Sequence, residues 1–166
     1  MTKRTEVHPT ETHCEMTWIV MPSQANSLGT VFGGQIMSWI DVCAAVACQR
    51  FARATVVTAS MDNLIFRAPV RQGQVVVLRA AVNCAWNSSM EVGVRVESED
   101  PHTGDRFHTS TAYLTFVALD KKGRKAKVPT LVPETPAEER RMADAQRRRA
   151  RRLQARDEDR AARNPS

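Results

Sequence analysis

The stretch NSLGTVFGGQIMSWIDVCAAVACQRF, residues 26–51, decides the fold that this chain can adopt. A polar turn with a glycine opens it, the pair Gly33-Gly34 follows, and residues 35–51 contain neither proline nor glycine. Apolar residues recur at helical spacing in that run, and the remaining faces also carry mostly small or apolar side chains. A helix that is apolar nearly all round belongs in a core, so we predict a long buried helix over residues 35–51.

Asp41 is the anomaly of this helix, because an ionised carboxylate is costly to bury without partners. The helix is also too short, and too clearly interrupted by this acid, to span a membrane. From the residues alone, two interpretations of Asp41 stay open. It is either a structural carboxylate paired with an arginine or backbone donors, or a group whose charge is used in a pocket.

Composition and charge narrow the class of protein. A chain of 166 residues, 42% of them hydrophobic, favours one domain with a sizeable core. Four cysteines without a C-x-x-C pair favour buried, reduced thiols over disulfides or a metal site. The first residues show no secretory segment, and no uncharged stretch of about 18 apolar residues occurs, so we expect a cytoplasmic protein with no membrane contact. From the cysteine pattern, we expect no bound metal.

The pattern along the chain predicts an α+β architecture. We expect a disordered leader over residues 1–15, a domain over 16–133 and an Arg-rich helix or tail over 134–166. The domain begins with a strand at residues 16–20, and after the helix four further strands follow at 55–66, 74–85, 89–97 and 107–119. Short turns between successive strands imply one antiparallel sheet, with the helix against it. The face of the sheet that the helix does not cover suggests dimerisation.

Alternation in the strand after the helix predicts two distinct faces. Val57, Ala59 and Met61 fall on one face, and Thr58, Ser60 and Asp62 on the other. In the strand at 89–97, Glu91 belongs to the polar face of a half-buried strand.

The tail has two interpretations. The favoured one is a solvated helix over residues 137–162, with Met142 and Leu153 as its only large apolar residues. The other is an arginine-rich arm that meets phosphates or nucleic acid. Six interspersed acidic residues and the absence of aromatic residues argue against nucleic acid, so we expect no such partner.

The start of the central helix permits acyl chemistry. A Gly-Gly pair at a helix start leaves backbone N–H groups free to hold a carbonyl oxygen as negative charge develops on it. Small residues beside Asp41 leave room for a water, and Asn26 in the preceding turn can donate and accept hydrogen bonds. Together these groups suit hydrolysis of an acyl compound by an activated water.

Four segments resemble one known family. MPSQANSLGTVFGGQIMSWIDVCAA, residues 21–45, closely resembles the signature of hot-dog fold acyl-coenzyme A thioesterases of the cytosolic acyl-CoA hydrolase type. VVTASMDNLIFRAPVRQGQVV at 56–76, NSSMEVGVRVESED at 87–100 and TFVALDKKG at 115–123 are similar to the same family. The resemblance covers residues 16–133. It implies a hot-dog fold, in which an antiparallel sheet wraps a long helix and pairs with a second copy into a double hot dog.

The resemblance also implies roles for individual residues. Asp41 is then the general base or a nucleophile, Asn26 is its partner from the facing subunit, and the Gly34 N–H polarises the thioester carbonyl. Residues implied or proposed to bind substrate are Phe32, Gly33, Thr58, Ser60, Ser88 and Ser89, the last two near the coenzyme A moiety. Homodimers with shared sites, assembled as trimers of dimers, are expected. Coenzyme A enters as part of the substrate, and no cofactor is expected.

We therefore predict a hydrolase that converts a fatty acyl-CoA into a free acid and coenzyme A. The Arg-rich C-terminal end departs from the family pattern, which leaves the phosphate-binding residues, Arg124 and Lys125 included, unassigned. One alternative is a non-catalytic acyl-CoA sensor with the same fold. Another is a hot-dog hydratase, which would need a histidine near Asp41, and the central helix has none.

Overall fold

The computed structural model describes residues 5–62 and 64–163, which form a five-stranded antiparallel sheet with a long helix against one face. In chain order the elements are β1 (Glu6–Val7), β2 (Cys14–Ile19), α1 (Gly33–Ala52), β3 (Thr55–Asp62), β4 (Val75–Ala85), β5 (Ser89–Glu99), β6 (Arg106–Leu119), β7 (Thr130–Leu131) and α2 (Pro136–Arg163). The strands of the large sheet lie in the order β2-β4-β5-β6-β3, so β2 and β3 are its edges. The predicted α+β architecture is confirmed.

The central helix α1 begins at Gly33, two residues before the predicted start, and packs on the inner face of the sheet. Ile36, Ile40, Ala47 and Phe51 form its buried side. Its opposite side is not buried, because the sheet covers only one side of the helix, and Met37 is 43% exposed. The prediction of burial all round is therefore wrong, and an apolar stripe is left uncovered. Within residues 5–62 and 64–163, neither helix is long and apolar enough to cross a membrane.

Residues 5–15 are ordered, which differs from the disordered leader that we predicted. β1 pairs in parallel with β7, and a 3-10 turn at Pro9–Thr12 follows it. The Thr12 hydroxyl donates to the Pro9 carbonyl at 2.7 Å and accepts from the Val82 N–H at 3.0 Å. The bond from Val82 attaches the segment to β4 of the main sheet. Residues 1–4 of the predicted leader lie outside the described residues.

A β-bulge in β3 separates residues that the sequence places on one face. Thr58 lies opposite Phe116 of β6, whereas Ser60 lies opposite Thr115, so Ala59 is an extra residue in the strand. Phe116 is buried on the inner face, and its neighbour Thr115 points outward. Thr58 therefore faces α1, while Ser60 and Asp62 face outward, and the prediction of a shared polar face is wrong.

The C-terminal helix α2 covers the outer face of the sheet, which contradicts a fully solvated helix. Ala145 is buried against the sheet, and Arg148 binds Glu91 of β5 through Nη2 to Oε1 at 2.6 Å and Nε to Oε1 at 3.1 Å. Glu91 is 0% exposed, because α2 seals what would be the polar side of β5. Residues 153–163 are exposed, so the prediction of a solvated helix holds only for that end.

Candidate active site

Asp41 lies in the middle of α1, half-buried, and the Thr58 hydroxyl donates a hydrogen bond to its Oδ1 at 2.6 Å. The bulge at Ala59 is what turns Thr58 toward this carboxylate. No cation among residues 5–62 and 64–163 forms an ion pair with Asp41, so an arginine does not neutralise it there. Its other oxygen accepts no hydrogen bond from the same residues. The carboxylate is thus held in one orientation with one oxygen left to accept a proton.

The start of α1 presents unused backbone donors. The Phe32 carbonyl accepts from the N–H groups of Gln35 at 3.0 Å and Ile36 at 3.2 Å. The N–H groups of Gly33 and Gly34 donate to no residue that the structure describes. At Gly34, a Cβ atom would meet nothing within 4 Å, so the space beside this residue is open. Two free N–H groups and the positive end of the helix dipole can bind a negatively polarised oxygen there.

The side-chain oxygen of Asn26 accepts hydrogen bonds from its own turn. Asn26 Oδ1 accepts hydrogen bonds from the Leu28 N–H at 2.9 Å, the Thr30 N–H at 3.2 Å and the Thr30 hydroxyl at 3.2 Å. These bonds build the turn that leads into α1. We predicted that Asn26 can both donate to and accept from a ligand. In the structure it can only donate, because only its Nδ2 group is left without a described partner. Nδ2 can donate to a substrate oxygen.

The predicted catalytic residues fall into two groups within one chain. Asp41 lies seven residues after Gly34, which is about 10 Å along the axis at the usual helical rise of 1.5 Å per residue. No hydrogen bond joins Asn26 to Asp41 among the described residues. One group is therefore the carboxylate with Thr58, and the other is the pair of donors at Asn26 and Gly34.

A pocket of about 300 Å³, with a lining that is mainly apolar but includes Thr30 and Arg67, lies beside the start of α1. Val31, Ile36, Phe66 and Pro69 are among the residues that line it. The Phe66 ring lies 3.4 Å from the position that a Cβ atom on Gly33 would occupy. Glycine at this position therefore allows the aromatic wall to approach the helix start. The predicted substrate-binding residue Phe32 precedes the helix and is 53% exposed.

Ser60, Ser88 and Ser89 lie away from Asp41. Ser88 and Ser89 line a pocket of about 280 Å³ on the outer face of the sheet, and Ser60 faces outward beside it, opposite Thr115. Arg149 and Arg152 of α2 line the same pocket. Neither arginine was among the predicted site residues, and contact of the arginine-rich tail with phosphates was only its second interpretation. Arginines lie on all sides of α2 in the sequence, so no local pattern distinguishes these two from the others.

The cysteines of α1 do not supply a nucleophile. Burial raises the pKa of the Cys43 thiol far above its ordinary value. Burial also raises the pKa of Cys48, and the negative charge of Asp41 raises it further. Because the thiolate is the reactive form, both side chains stay protonated and unreactive at neutral pH.

Comparisons with known proteins agree on one family. Residues 28–104 match the model of the Thioesterase superfamily. The uncharacterized acyl-CoA thioester hydrolase YkhA of Bacillus subtilis is 44% identical over 119 residues, which are 72% of this chain and 69% of that protein. A hexameric acyl-CoA thioesterase in its apo form is 34% identical, with a TM-score of 0.88 over 91% of this chain and 97% of its own.

The acyl-CoA hydrolase of Staphylococcus aureus is a further similar structure. Its complex with butyryl coenzyme A, coenzyme A and coenzyme A disulfide is 34% identical, with a TM-score of 0.84 over 96% of this chain and 99% of its own. Structures of that hydrolase also exist with an aspartate, a threonine or an asparagine replaced by alanine. There the asparagine precedes the aspartate by 15 positions and the threonine follows it by 17, as Asn26, Asp41 and Thr58 do here.

The sheet that wraps α1, the match to the family and the identity to these hydrolases confirm the resemblance read from residues 21–45. This chain belongs to the thioesterase superfamily and has its hot-dog fold.

Proposed function

We propose that this protein hydrolyses acyl-CoA thioesters, with a water molecule activated by Asp41. The observation that carries the proposal is the carboxylate of Asp41, half-buried, oriented by Thr58 and free of any described cation. Relatives at 44% and at 34% identity are named acyl-CoA thioester hydrolase and acyl-CoA hydrolase, which supports the same reaction class. The spacing shared with the residues replaced in the S. aureus hydrolase supports the choice of Asn26, Asp41 and Thr58.

The proposed reaction needs one base and one set of oxyanion donors. The free oxygen of Asp41 takes a proton from water, and the water oxygen forms a bond to the thioester carbonyl carbon. Negative charge then moves to the carbonyl oxygen, where backbone N–H groups at a helix start stabilise it. When the carbon–sulfur bond breaks, the coenzyme A thiolate leaves and receives the proton. A thioester is more electrophilic than an oxygen ester, so no serine nucleophile is required.

The separation of the two residue groups supports a site shared between two copies. Gly34 lies about 10 Å from Asp41 along the helix, which is too far for both to act on one carbonyl group. We therefore propose that Asp41 and Thr58 of one protomer face the partner's Asn26 and Gly34. The uncovered stripe of α1 at Met37 and the free edge of β3 offer surface for that second copy. By analogy with the hexameric thioesterase, we propose that such dimers assemble in threes.

The mainly apolar pocket beside Gly33 supports a fatty acyl substrate. Its volume of about 300 Å³ and its lining by Val31, Ile36 and Phe66 suit a hydrocarbon chain. A sensor that only binds acyl-CoA would need no oriented carboxylate beside the site, so the sensor alternative is not favoured. The cytoplasmic location stays a prediction.

The first test replaces Asp41 by asparagine. Loss of a general base should lower kcat about 1000-fold while the fold survives. Thiol release from acyl-CoA gives the rate, and circular dichroism checks the fold. Asp144→Asn is the matched control, because Asp144 lies in α2 and pairs only with Arg147 among the described residues. Turnover by Asp41→Asn at the rate of the control would remove Asp41 from the mechanism.

A second test asks whether sites are shared. Asn26→Asp keeps the oxygen that accepts the three turn hydrogen bonds and removes the Nδ2 donor. Asp41→Asn and Asn26→Asp should each be inactive alone. After refolding as an equal mixture, mixed dimers regain one intact site, so about a quarter of wild-type activity should return. Activity that stays at the sum of the two separate variants would exclude a shared site.

A further inference from the structure

Arg152 of α2 connects the edge strand β3 to β5, across the strand that lies between them. Its Nη1 atom binds Asp62 Oδ2 at the end of β3 and also lies 3.3 Å from Glu91 Oε2 of β5. In the sheet, β6 separates β3 from β5, so this one guanidinium spans three strands on the outer face. The ionic attachment of the end of β3 therefore comes from the C-terminal helix.

This contact is sheltered from water, which distinguishes it from ion pairs on the surface of α2. The side chains of Arg152 and Asp62 are 24% and 20% exposed, and that of Glu91 is fully buried. Arg156 and Asp157 also form a pair on this helix, but both of their side chains are exposed. Sheltered charges are screened little by solvent, and removing one partner leaves the others uncompensated. Without Arg152, the two carboxylates that it joins would repel each other.

The β-bulge divides β3 into two parts, and the part that ends in Asp62 is the shorter. Residues 55–58 pair with β6 before the bulge, and residues 60–62 pair with it afterwards. Because β3 is an edge strand, it has a sheet neighbour on one side only among the described strands. Of the three side chains after the bulge, that of Met61 packs on the core, while Ser60 and Asp62 point outward. The short part therefore has little packing of its own to hold it.

Thr58 is the last paired residue before the bulge. Ala59 disrupts the ladder there, so Thr58 gains rigidity from the strand beyond it only if that short part is also held. If residues 60–62 separated from β6, Thr58 would become the end of the strand, where fraying begins. The Thr58 hydroxyl donates to Asp41 Oδ1 at 2.6 Å, and a hydrogen bond weakens steeply as its geometry is lost. Small movements of this strand end would therefore release the Asp41 carboxylate.

We propose that Arg152 is a positioning residue for the carboxylate of Asp41. By binding Asp62 and Glu91 it keeps the end of β3 on the sheet, and the paired strand keeps the Thr58 hydroxyl on Asp41. The C-terminal helix thereby supports the reaction from the opposite face of the sheet. The inference rests on the proposed function.

Steady-state kinetics of acyl-CoA hydrolysis test the proposal. Arg152→Gln removes the charge that joins the two carboxylates, so kcat should fall about tenfold while KM stays within about twofold of the wild type. Arg152→Lys keeps a charge with three donors and should retain most of the activity. Arg156→Gln is the matched control, because it removes an exposed pair from the same helix and should behave as the wild type. A raised KM with unchanged kcat would mark Arg152 as a substrate contact and overturn the proposal.

A double variant shows whether Arg152 acts through Thr58. In the Thr58→Val background the hydroxyl is already gone, so Arg152→Gln should lower kcat by less than about twofold further. A substitution that only destabilises the fold would lower kcat by the same factor in both backgrounds. An equal loss of about tenfold in both would therefore overturn the proposal, while the proposed function would stand.

Amide hydrogen exchange tests the attachment of β3 without any activity. In Arg152→Gln, the β3 amides that pair with β6 should exchange about tenfold faster, whereas those of β2, at the other edge of the sheet, should be unchanged. Equal protection of β3 in the variant and the wild type would overturn the proposal. If the wild type releases no thiol, the proposed function fails, and faster exchange still supports the hold of Arg152 on β3. Asp62→Asn weakens the same contact from β3 and takes the place of Arg152→Gln if that variant does not fold.

Discussion

The hydroxyl of Thr58 fixes the carboxylate of Asp41 through a single hydrogen bond of 2.6 Å. A hydrogen bond to a charged group contributes about 1.5–3 kcal/mol, so Thr58→Val should lower kcat about 10-fold to 100-fold. Thr58→Ser keeps the hydroxyl and should retain most activity. Thiol release at saturating acyl-CoA measures the difference. Equal kcat values for the two variants would show that this bond does not orient the carboxylate.

Single residues also mark what the sequence could and could not predict. Asp41 could be singled out from the sequence, because a carboxylate inside an apolar helix needs either a partner or a use. Its role in catalysis stays a prediction. The inward direction of Thr58 was not, because the alternation from Val57 to Met61 looks regular and gives no sign of a bulge. The three hydrogen bonds to the side-chain oxygen of Asn26 depend on turn geometry, which the sequence alone does not define.

At the scale of elements, α2 is held to the sheet by an arginine–glutamate contact. Burial alone lowers the pKa of Arg148, but its bonds to Glu91 and the charge of Glu91 more than offset this and raise it, so Arg148 stays protonated. Arg148→Met would leave Glu91 buried without its main partner and should destabilise the protein by about 3 kcal/mol in urea unfolding.

Two controls separate this buried contact from ordinary surface pairs. Arg147→Met removes an exposed pair with Asp144, and it should cost about 0.5 kcal/mol. Adding Glu91→Gln to Arg148→Met should recover part of the loss, because no buried charge then lacks a partner. A cost for Arg148→Met as small as that of Arg147→Met would contradict the docking described for α2.

The first turn of α2 makes its attachment sensitive to acid. Glu138 Oε2 accepts from the backbone N–H groups of Glu134 at 2.9 Å and Thr135 at 3.1 Å. These bonds outweigh burial and lower the pKa of Glu138 below its ordinary value of 4.5. Since the folded-state pKa is depressed, the stabilisation is present above pH 4.5 and is lost as the pH falls through the depressed value.

Glu138→Gln should therefore cost about 1 kcal/mol at pH 7, as the loss of a helix cap usually does. In urea unfolding at a pH well below 4.5, the variant and the wild type should have the same free energy of unfolding. Glu139→Gln, at an exposed neighbouring position, should behave as the wild type at both pH values. A difference in unfolding free energy that grew in acid would contradict the lowered pKa of Glu138.

The helical character of α2 could be predicted from its composition, but its docking could not. Its only large apolar residues are Met142 and Leu153, so no hydrophobic stripe marks an inward face. The inward face carries arginine instead, and Arg148 binds the carboxylate of Glu91, which lies 57 positions earlier in the chain. Contacts between distant charged residues leave no periodic signal in either segment.

At the scale of the whole molecule, the uncovered stripe of α1 should hold a second copy. Met37→Glu places a charge on that stripe, so the protein should sediment near the monomer mass of 18.5 kDa and lose thioesterase activity. Met37→Leu preserves the apolar surface and should leave both properties unchanged. An active oligomer of Met37→Glu would show that the stripe is not the interface.

The architecture of the whole chain was the most predictable level. The order of one strand, one apolar helix and four strands predicted the α+β sheet, and residues 21–45 predicted the family. The ordered N-terminal segment was missed, because β1 depends on β7 more than 120 residues later. A polar segment that is ordered only by pairing with a distant strand has no local sequence pattern that predicts its structure.

The length of α1 between Gly34 and Asp41 has a mechanical consequence. In the proposed pair, each helix lends its first amides to one reaction centre and its carboxylate to the other. A helix is stiff over two turns, so a shift of this rod moves both centres together. If the sites are shared as proposed, substrate bound at one centre should alter turnover at the other, and a monomer should have no complete centre.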